Sequence, residues 1–419
     1  MGKRNKKKDT ENSDVASSTS TSTYAELAGG VDDDESDNRS PLELFLEGMY
    51  EKRATTREKA LSGIAEVLQT YSNCDEVEQN QETLSTLFAN SIRRGGAKEQ
   101  ETAAWCLGLL VINLGCGDES FRILEERGDL LRKAASGGKS AACRAAALTS
   151  LALMVFVAAD SAREASDAMA FLETHMSAGS PKGASPQVAA AAVRAWSLLL
   201  TTLPRDLVTA GGYGEARLAV LAPLLHSDSI ELREAAGEAV SVLFDARQAP
   251  AGEDAPSDEA ESPAAAAFEE QLEDVRQRME ELAKNMGDAQ RRSKRERLSQ
   301  KTAFRDALGV LDGRGISEIK HKLRHGDFLY VNTVPGQVQL NAFRQVLAGG
   351  FQDHLQNNPL LHDVFEFEPR TERPERMTKK EQRMLRSPNS YAARERQRQR
   401  GAQRSSAAQD HQALLGEAW

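Results

Sequence analysis

The side chains with the most chemistry to offer in this 419-residue chain are cations, and they come in three clusters. Lys3, Arg4, Lys6, Lys7 and Lys8 open the sequence. Arg291, Arg292, Lys294, Arg295, Arg297 and Lys301 crowd into one short stretch, and Arg370 to Arg404 holds twelve Lys or Arg against four Glu. Groups at this density favour a polyanion, because each phosphate they neutralise releases a condensed counterion. Within the last cluster, Lys379, Lys380, Arg383 and Arg386 precede a helix that Ser390 can cap and Gly401 can stop. That helix puts Arg394 and Arg398 on one side and Arg396 and Arg400 on nearly the opposite side. Charged all round, it has no stripe with which to dock on a core, so it is expected to order only when phosphates enclose it. Tyr391 is the only aromatic in the tract, so binding there should be sequence-tolerant. The opening lysines suit a nuclear-import or RNA-contacting tail, or simply solvated charge.

Other chemistry is thin. His321 and His325 read as one helix face at i, i+4, a spacing that can hold zinc, but no cysteine is near and the zincin glutamate is missing. His354 and His362 sit beside apolar positions and read as structural. Cys74, Cys106, Cys116 and Cys143 make no CxxC pair, and no apolar run opens the chain; a reduced cytoplasm and/or nucleus fits. Gly211-Gly212 lacks the strand and Lys of a phosphate loop. No catalytic, cofactor-binding or metal-ligating residue is assigned, and the chain reads as no enzyme.

What must position the cations is a repeat. REKALSGI from Arg57, ETAAWCLG from Glu101, RAAALTSL from Arg144, AAAVRAW near Ala189 and REAAGEAV from Arg233 carry small or apolar residues at matching offsets. Their anchors lie 44, 43, 45 and 44 residues apart. A period near 40–47 is that of armadillo and HEAT units, which bury their apolar faces only by stacking. Trp105 and Trp196 fall near one offset and read as inter-repeat core. Arg57, Arg144 and Arg233 recur at one position, either as a basic ladder or as solvated helix starts. The most apolar run, Ala145 to Ala159, carries the helical pattern and is too short to span a bilayer, so no membrane role is expected.

The fold class is therefore all-α: an armadillo/HEAT-like solenoid, then a small C-terminal helical domain and a basic tail. Residues 1–39 should be a disordered tail ending in acid, and 40–248 the repeat domain opened by Ser40-Pro41-Leu42-Glu43. Residues 249–267 form an acidic linker without Lys or Arg, and 268–301 a basic helix. Residues 302–368 form the terminal domain, with an extended segment near Phe328 to Val334, and 369–419 the tail. Phe268, Leu272, Val275, Met279, Leu282 and Met286 follow a heptad, which either dimerises or packs back on the solenoid.

The run AFRQVLAGGFQDHLQNNPLLHDVFEFE, Ala342 to Glu368, resembles the C-terminal domain of the interferon-related developmental regulator family. The resemblance covers about Ser40 to Glu368 and is most specific at His354 to Phe365. It implies an armadillo-type scaffold without catalytic activity. Members of that family act as transcriptional co-regulators through protein partners, and some associate with ribosomes and repress translation. The basic extension after Pro369 is less typical of the family. Together these readings give a non-enzymatic scaffold that binds ribosome or RNA through basic segments and restrains gene expression. The alternative is a nuclear transcriptional co-regulator whose solenoid groove holds transcription or chromatin proteins. No cofactor is expected.

Overall fold

The computed structural model describes residues 39–71, 74–176, 185–248, 263–284, 293–323 and 328–368. Order opens where the cap signal stands. Ser40 accepts from the Glu43 amide, the Glu43 carboxylate returns the bond to Ser40, and Pro41 takes the first helical position. From there helices alternate between two rows. One row holds α1 (Pro41–Met49), α4 (Gln81–Arg94), α6 (Asp118–Gly137), α8 (Ala162–Glu173) and α11 (Tyr213–Leu221). The inner row holds α2 (Ala54–Gln69), α5 (Ala97–Leu114), α7 (Ala141–Ala158), α9 (Pro186–Leu200) and α12 (Ile230–Gln248), each packed on the next. Short helices α3 (Cys74–Gln79) and α10 (Arg205–Thr209) fill connections. The rows follow from apolar content. In α5, α7 and α9 apolar residues face every side, whereas α4 and α6 bury one stripe.

The sequence period reappears as bonding. Asn113 Nδ2 donates to the Leu68 carbonyl at 2.7 Å, Lys139 Nζ to Gly95 at 2.5 Å and Arg205 Nε to Arg247 at 3.0 Å. Arg127 Nε donates to Ser85 Oγ at 2.9 Å, and Arg57 pairs with the buried Glu99 at 3.0 Å. Each link joins residues 42–45 positions apart, so each ties one repeat to its neighbour. The recurring arginines form neither a ladder nor a free surface. Arg57 donates to the Glu51 and Lys52 carbonyls, Arg144 to Ala135 and Arg233 to Ser227, so each fastens its helix to the chain just before it. Trp196 is core, with Nε1 on Glu173 at 3.1 Å, and Trp105 packs half-buried against the same core.

The rows run one repeat further than the period predicts. Helix α13 (Pro263–Ala283) packs on α11, and α14 (Lys294–Leu311) packs on α12 and α13. The heptad residues Phe268, Leu272, Val275, Met279 and Leu282 are buried within the chain, so that seam is intramolecular; Met286 lies outside the described residues. Arg233 Nη2 bonds Gln300 Oε1 in the manner of the other inter-repeat links, but across 67 residues. The acidic insertion supplies the difference. Because α14 is continuous through Lys301 and Thr302, the expected division there cuts a helix in half.

After α14 an antiparallel hairpin pairs β1 (Ile319–Lys322) with β2 (Phe328–Val331), Ile319 opposite Val331. The extended segment expected at Phe328 is β2. His321 stands on β1 rather than on a helix, edge-on to Phe351, so the i, i+4 helix face with His325 does not exist; His325 lies outside the described residues. Helices α15 (Val334–Leu347), α16 (Phe351–Asn357) and α17 (Pro359–Val364) then lie against the inner row. Phe343 meets Phe156 edge-on at 5.9 Å, Gln69 Nε2 donates to Val346 at 3.2 Å and Gln339 reaches Thr201 at 3.2 Å.

The turn at Ala348–Gly350 sits so close to α2 that a Cβ on Gly350 would run into the Gln69 carbonyl, backbone that cannot swing aside. Gly350→Ala should therefore destabilise the protein by about 1–3 kcal/mol in urea unfolding. Gly137→Ala, with open space around it, should change stability by less than about 1 kcal/mol in either direction.

Candidate functional site

The stretch that carried the resemblance, His354 to Phe365, closes the inner row. His354 is fully buried. Its Nε2–H donates to the Leu68 carbonyl at 3.1 Å, and its Nδ1 accepts from Asn358 Nδ2 at 3.0 Å. Asn358 Nδ2 also donates to Ile112 at 2.9 Å, while its Oδ1 accepts from the Leu360 amide at 2.9 Å and starts α17. Leu68 and Ile112 lie in the last turns of α2 and α5, where carbonyls have no partner within the helix. Two side chains of one motif thus cap two repeats. These partners fix the neutral Nε2–H tautomer. Burial lowers the His354 pKa to about 4, because a second proton on Nδ1 would lose solvation and face a donor.

Where α15 leaves the inner row, a cavity of about 310 Å³ remains between α7, α9, α12, α14 and α15. Ala152, Ala195, Leu198, Ala307 and Val338 line its walls, and Glu234, Glu238 and Asp306 bring carboxylates to it. Burial raises the pKa of all three. Asn341 Nδ2 holds Glu238 at 3.1 Å, and Arg194, also on the wall, pairs with Glu231 at 2.6 Å while its charge partly offsets the burial of Glu234 and Glu238. Such a cavity suits an aliphatic stem ending in a positive charge. Sequence reasoning passed over it, although Glu234 and Glu238 stand at i, i+4, a like-charge spacing that costs helix stability unless something nearby offsets it. Among the described residues no His, Cys, Asp and Glu cluster has the geometry of a metal site.

Of the predicted cations, the structure describes Lys294, Arg295, Arg297 and Lys301. All of Ser293 to Ser299 is exposed, a helix start held by the Ser293–Glu296 capping box. Lys294, Arg297 and Lys301 share one stripe at i, i+3, i+7. Leu298, 62% exposed, lies in the same stripe, and Arg295 lies beside it. Lys294, Arg295 and Arg297 make no ion pair with a described residue. Lys3, Arg4, Lys6, Lys7, Lys8, Arg291 and Arg292 lie outside the described residues, as do Lys379, Lys380, Arg383, Arg386, Arg394, Arg396, Arg398 and Arg400.

Stacked helix pairs closed by a C-terminal segment, with exposed cations at the start of α14, define an all-α helical-repeat solenoid. The family model described as interferon-related developmental regulator matches residues 11–312, ending where α14 ends. A second, the interferon-related protein conserved region, matches residues 358–408. The chain belongs to the interferon-related developmental regulator family. Mouse interferon-related developmental regulator 2 is 30% identical over 369 residues, covering 83% of this chain and 78% of its own. Regulator 1 of pig and of human is 27% identical, covering 80% of this chain and 74% of theirs. A solved engineered protein aligns with 66% of this chain and 98% of its own at 15% identity and a TM-score of 0.43, which leaves the fold to be read from the helices themselves. The second match corrects one expectation. It runs from Asn358 through Arg404, so the basic extension is part of the family region rather than untypical of it.

The His354 clasp has a pH signature. The unfolded histidine binds a proton near pH 6.5 and the folded one only near 4, so its contribution is complete above 6.5. Below that the unfolded state binds more protons and stability falls toward pH 4, by up to about 1.4 kcal/mol per pH unit. Urea unfolding across this range should show the slope in the native protein and a flatter one in His354→Gln, which starts from lower stability.

Proposed function

We propose that this family regulator is a non-catalytic mount that attaches to ribosomal or other RNA through its basic segments and so restrains gene expression. The observation that carries the reading is the free end of α14, where exposed Lys294, Arg295 and Arg297 stand on a helix anchored by the last repeat. No described carboxylate pairs with them, which leaves them available to phosphates. The Arg370–Arg404 cations supply a second, larger positive segment inside the family region. Both segments attach to a body made rigid by repeat-to-repeat bonds, which suits a part that must hold a fixed place on a large partner.

The second reading, a nuclear co-regulator gripping peptides in the inner groove, has less room. Along α2, α5, α7 and α9 the inner row is already met by α15–α17 of the same chain, with the acidic cavity left open beside them.

Sucrose-gradient fractionation with and without ribonuclease tests the choice. The full chain should move with ribonuclease-sensitive particles and leave them as salt rises. Deleting Arg370–Trp419 should abolish most binding. Lys294→Glu, Arg295→Glu and Arg297→Glu together should lower the slope of log affinity against log salt by about 2. Unchanged sedimentation of the truncated protein at every salt concentration would reject the reading, and salt-resistant, ribonuclease-resistant association would favour the groove.

A further inference from the structure

The β1–β2 hairpin presents two different faces. Ile319, His321, Leu329 and Val331 point one way, with Leu329 and Val331 buried. The other face is built from the cross-strand pairs Lys320 with Tyr330 and Lys322 with Phe328. Both lysines are exposed, Tyr330 is 50% exposed and Phe328 is partly so. The two rings sit side by side, centroids 6.3 Å apart, and Lys320 Nζ lies over both, 4.0 Å from the Phe328 ring and 5.1 Å from the Tyr330 ring. Neither lysine is ion-paired to a described residue.

Strand propensity explains aromatic residues in a sheet, and cross-strand pairing explains a lysine over one ring. Neither explains why two rings and two cations gather on one exposed face of the hairpin. We propose that this face is a stacking platform for single-stranded RNA. Open rings on a sheet accept unpaired bases, as sheet-based RNA modules do, because every base has a π-face. A phosphate would draw the Lys320 ammonium off the rings and free their faces for a base, and Lys322 would meet the next phosphate. A duplex keeps its bases stacked internally and gains only the charge contacts. An acidic protein would use the lysines and have no need of the rings.

The inference rests on the RNA reading above and adds base contact, which the Arg-rich tract with its single tyrosine does not supply. The test uses the full-length chain and labelled oligouridylate, single-stranded and in duplex with oligoadenylate, read by fluorescence anisotropy over a salt series. Tyr330→Ser should weaken single-strand binding about 5- to 150-fold, leave duplex binding unchanged and keep the salt slope. Tyr330→Phe, which preserves the ring, should bind like the native chain and controls for folding. Lys322→Gln should lower the slope by about 0.7. Ultraviolet crosslinking should attach uridine to Phe328 or Tyr330. Equal single-strand binding by Tyr330→Ser, an equal loss on duplex, or displacement of the RNA by polyglutamate at matched charge would overturn the platform and leave the RNA reading standing. No RNA binding by the native chain would overturn both.

Discussion

Helix α7 has no polar face. Twelve of its sixteen residues from Cys143 to Ala158 are buried and the other four are partly so, and a helix apolar on every side must be covered on every side. Its length and composition would allow it to cross a bilayer, since the helix is longer than the apolar run within it. In this fold protein takes that place. The neighbours α5 and α9 cover two flanks, α6 and α8 a third, and Phe343 of α15 reaches the last. The architecture can be read as the answer to that one demand, repeated along the row. Each inner helix is roofed by the outer row and walled by its neighbours. The ends are finished by helices with a polar side, α1–α2 at one end and α13–α14 at the other.

The last of these coverings, by α15, separates this chain from an open solenoid. In an open array the inner face is the binding surface. Here α15–α17 lie along it, and two buried side chains, His354 and Asn358, bond helix-end carbonyls: Asn358 reaches Ile112, and His354 adds a second donor to the Leu68 carbonyl that Asn113 already holds. Exposed cations accordingly stand off that face, at the start of α14 and on the hairpin. A motif that reads as a signature of function is in this sense a signature of closure.

The period was plain in the sequence because five repeats keep both length and small-residue pattern. The helix starts after Ser40, Ser140, Ser161 and Ser185 follow from cap residues, and those after Gly96, Gly117 and Gly212 from glycine breaks. The sixth repeat was not legible, because the acidic insertion stretches the Arg233–Gln300 link to 67 residues and α13 reads as a heptad, a pattern that cannot tell a partner chain from a neighbouring helix. Strand β1 was hidden for a related reason. Ile319-Lys320-His321-Lys322 is too short to show alternation, and its partner strand gives it meaning. Of the site, the cations were visible as charge. The cavity acids were not, because Glu234 and Glu238 look like ordinary helix surface until Asp306 and Asn341 arrive from elsewhere in the chain.

The clasp also sets an order of events during synthesis. His354 meets Leu68 across 286 residues, and Asn358 meets Ile112 across 246. At about 5–20 residues per second, a nascent chain leaves the end of α2 unfinished for roughly 15 s to 1 min. The first repeats must therefore wait, with one face of their inner helices open to water, for the last piece of the fold to emerge.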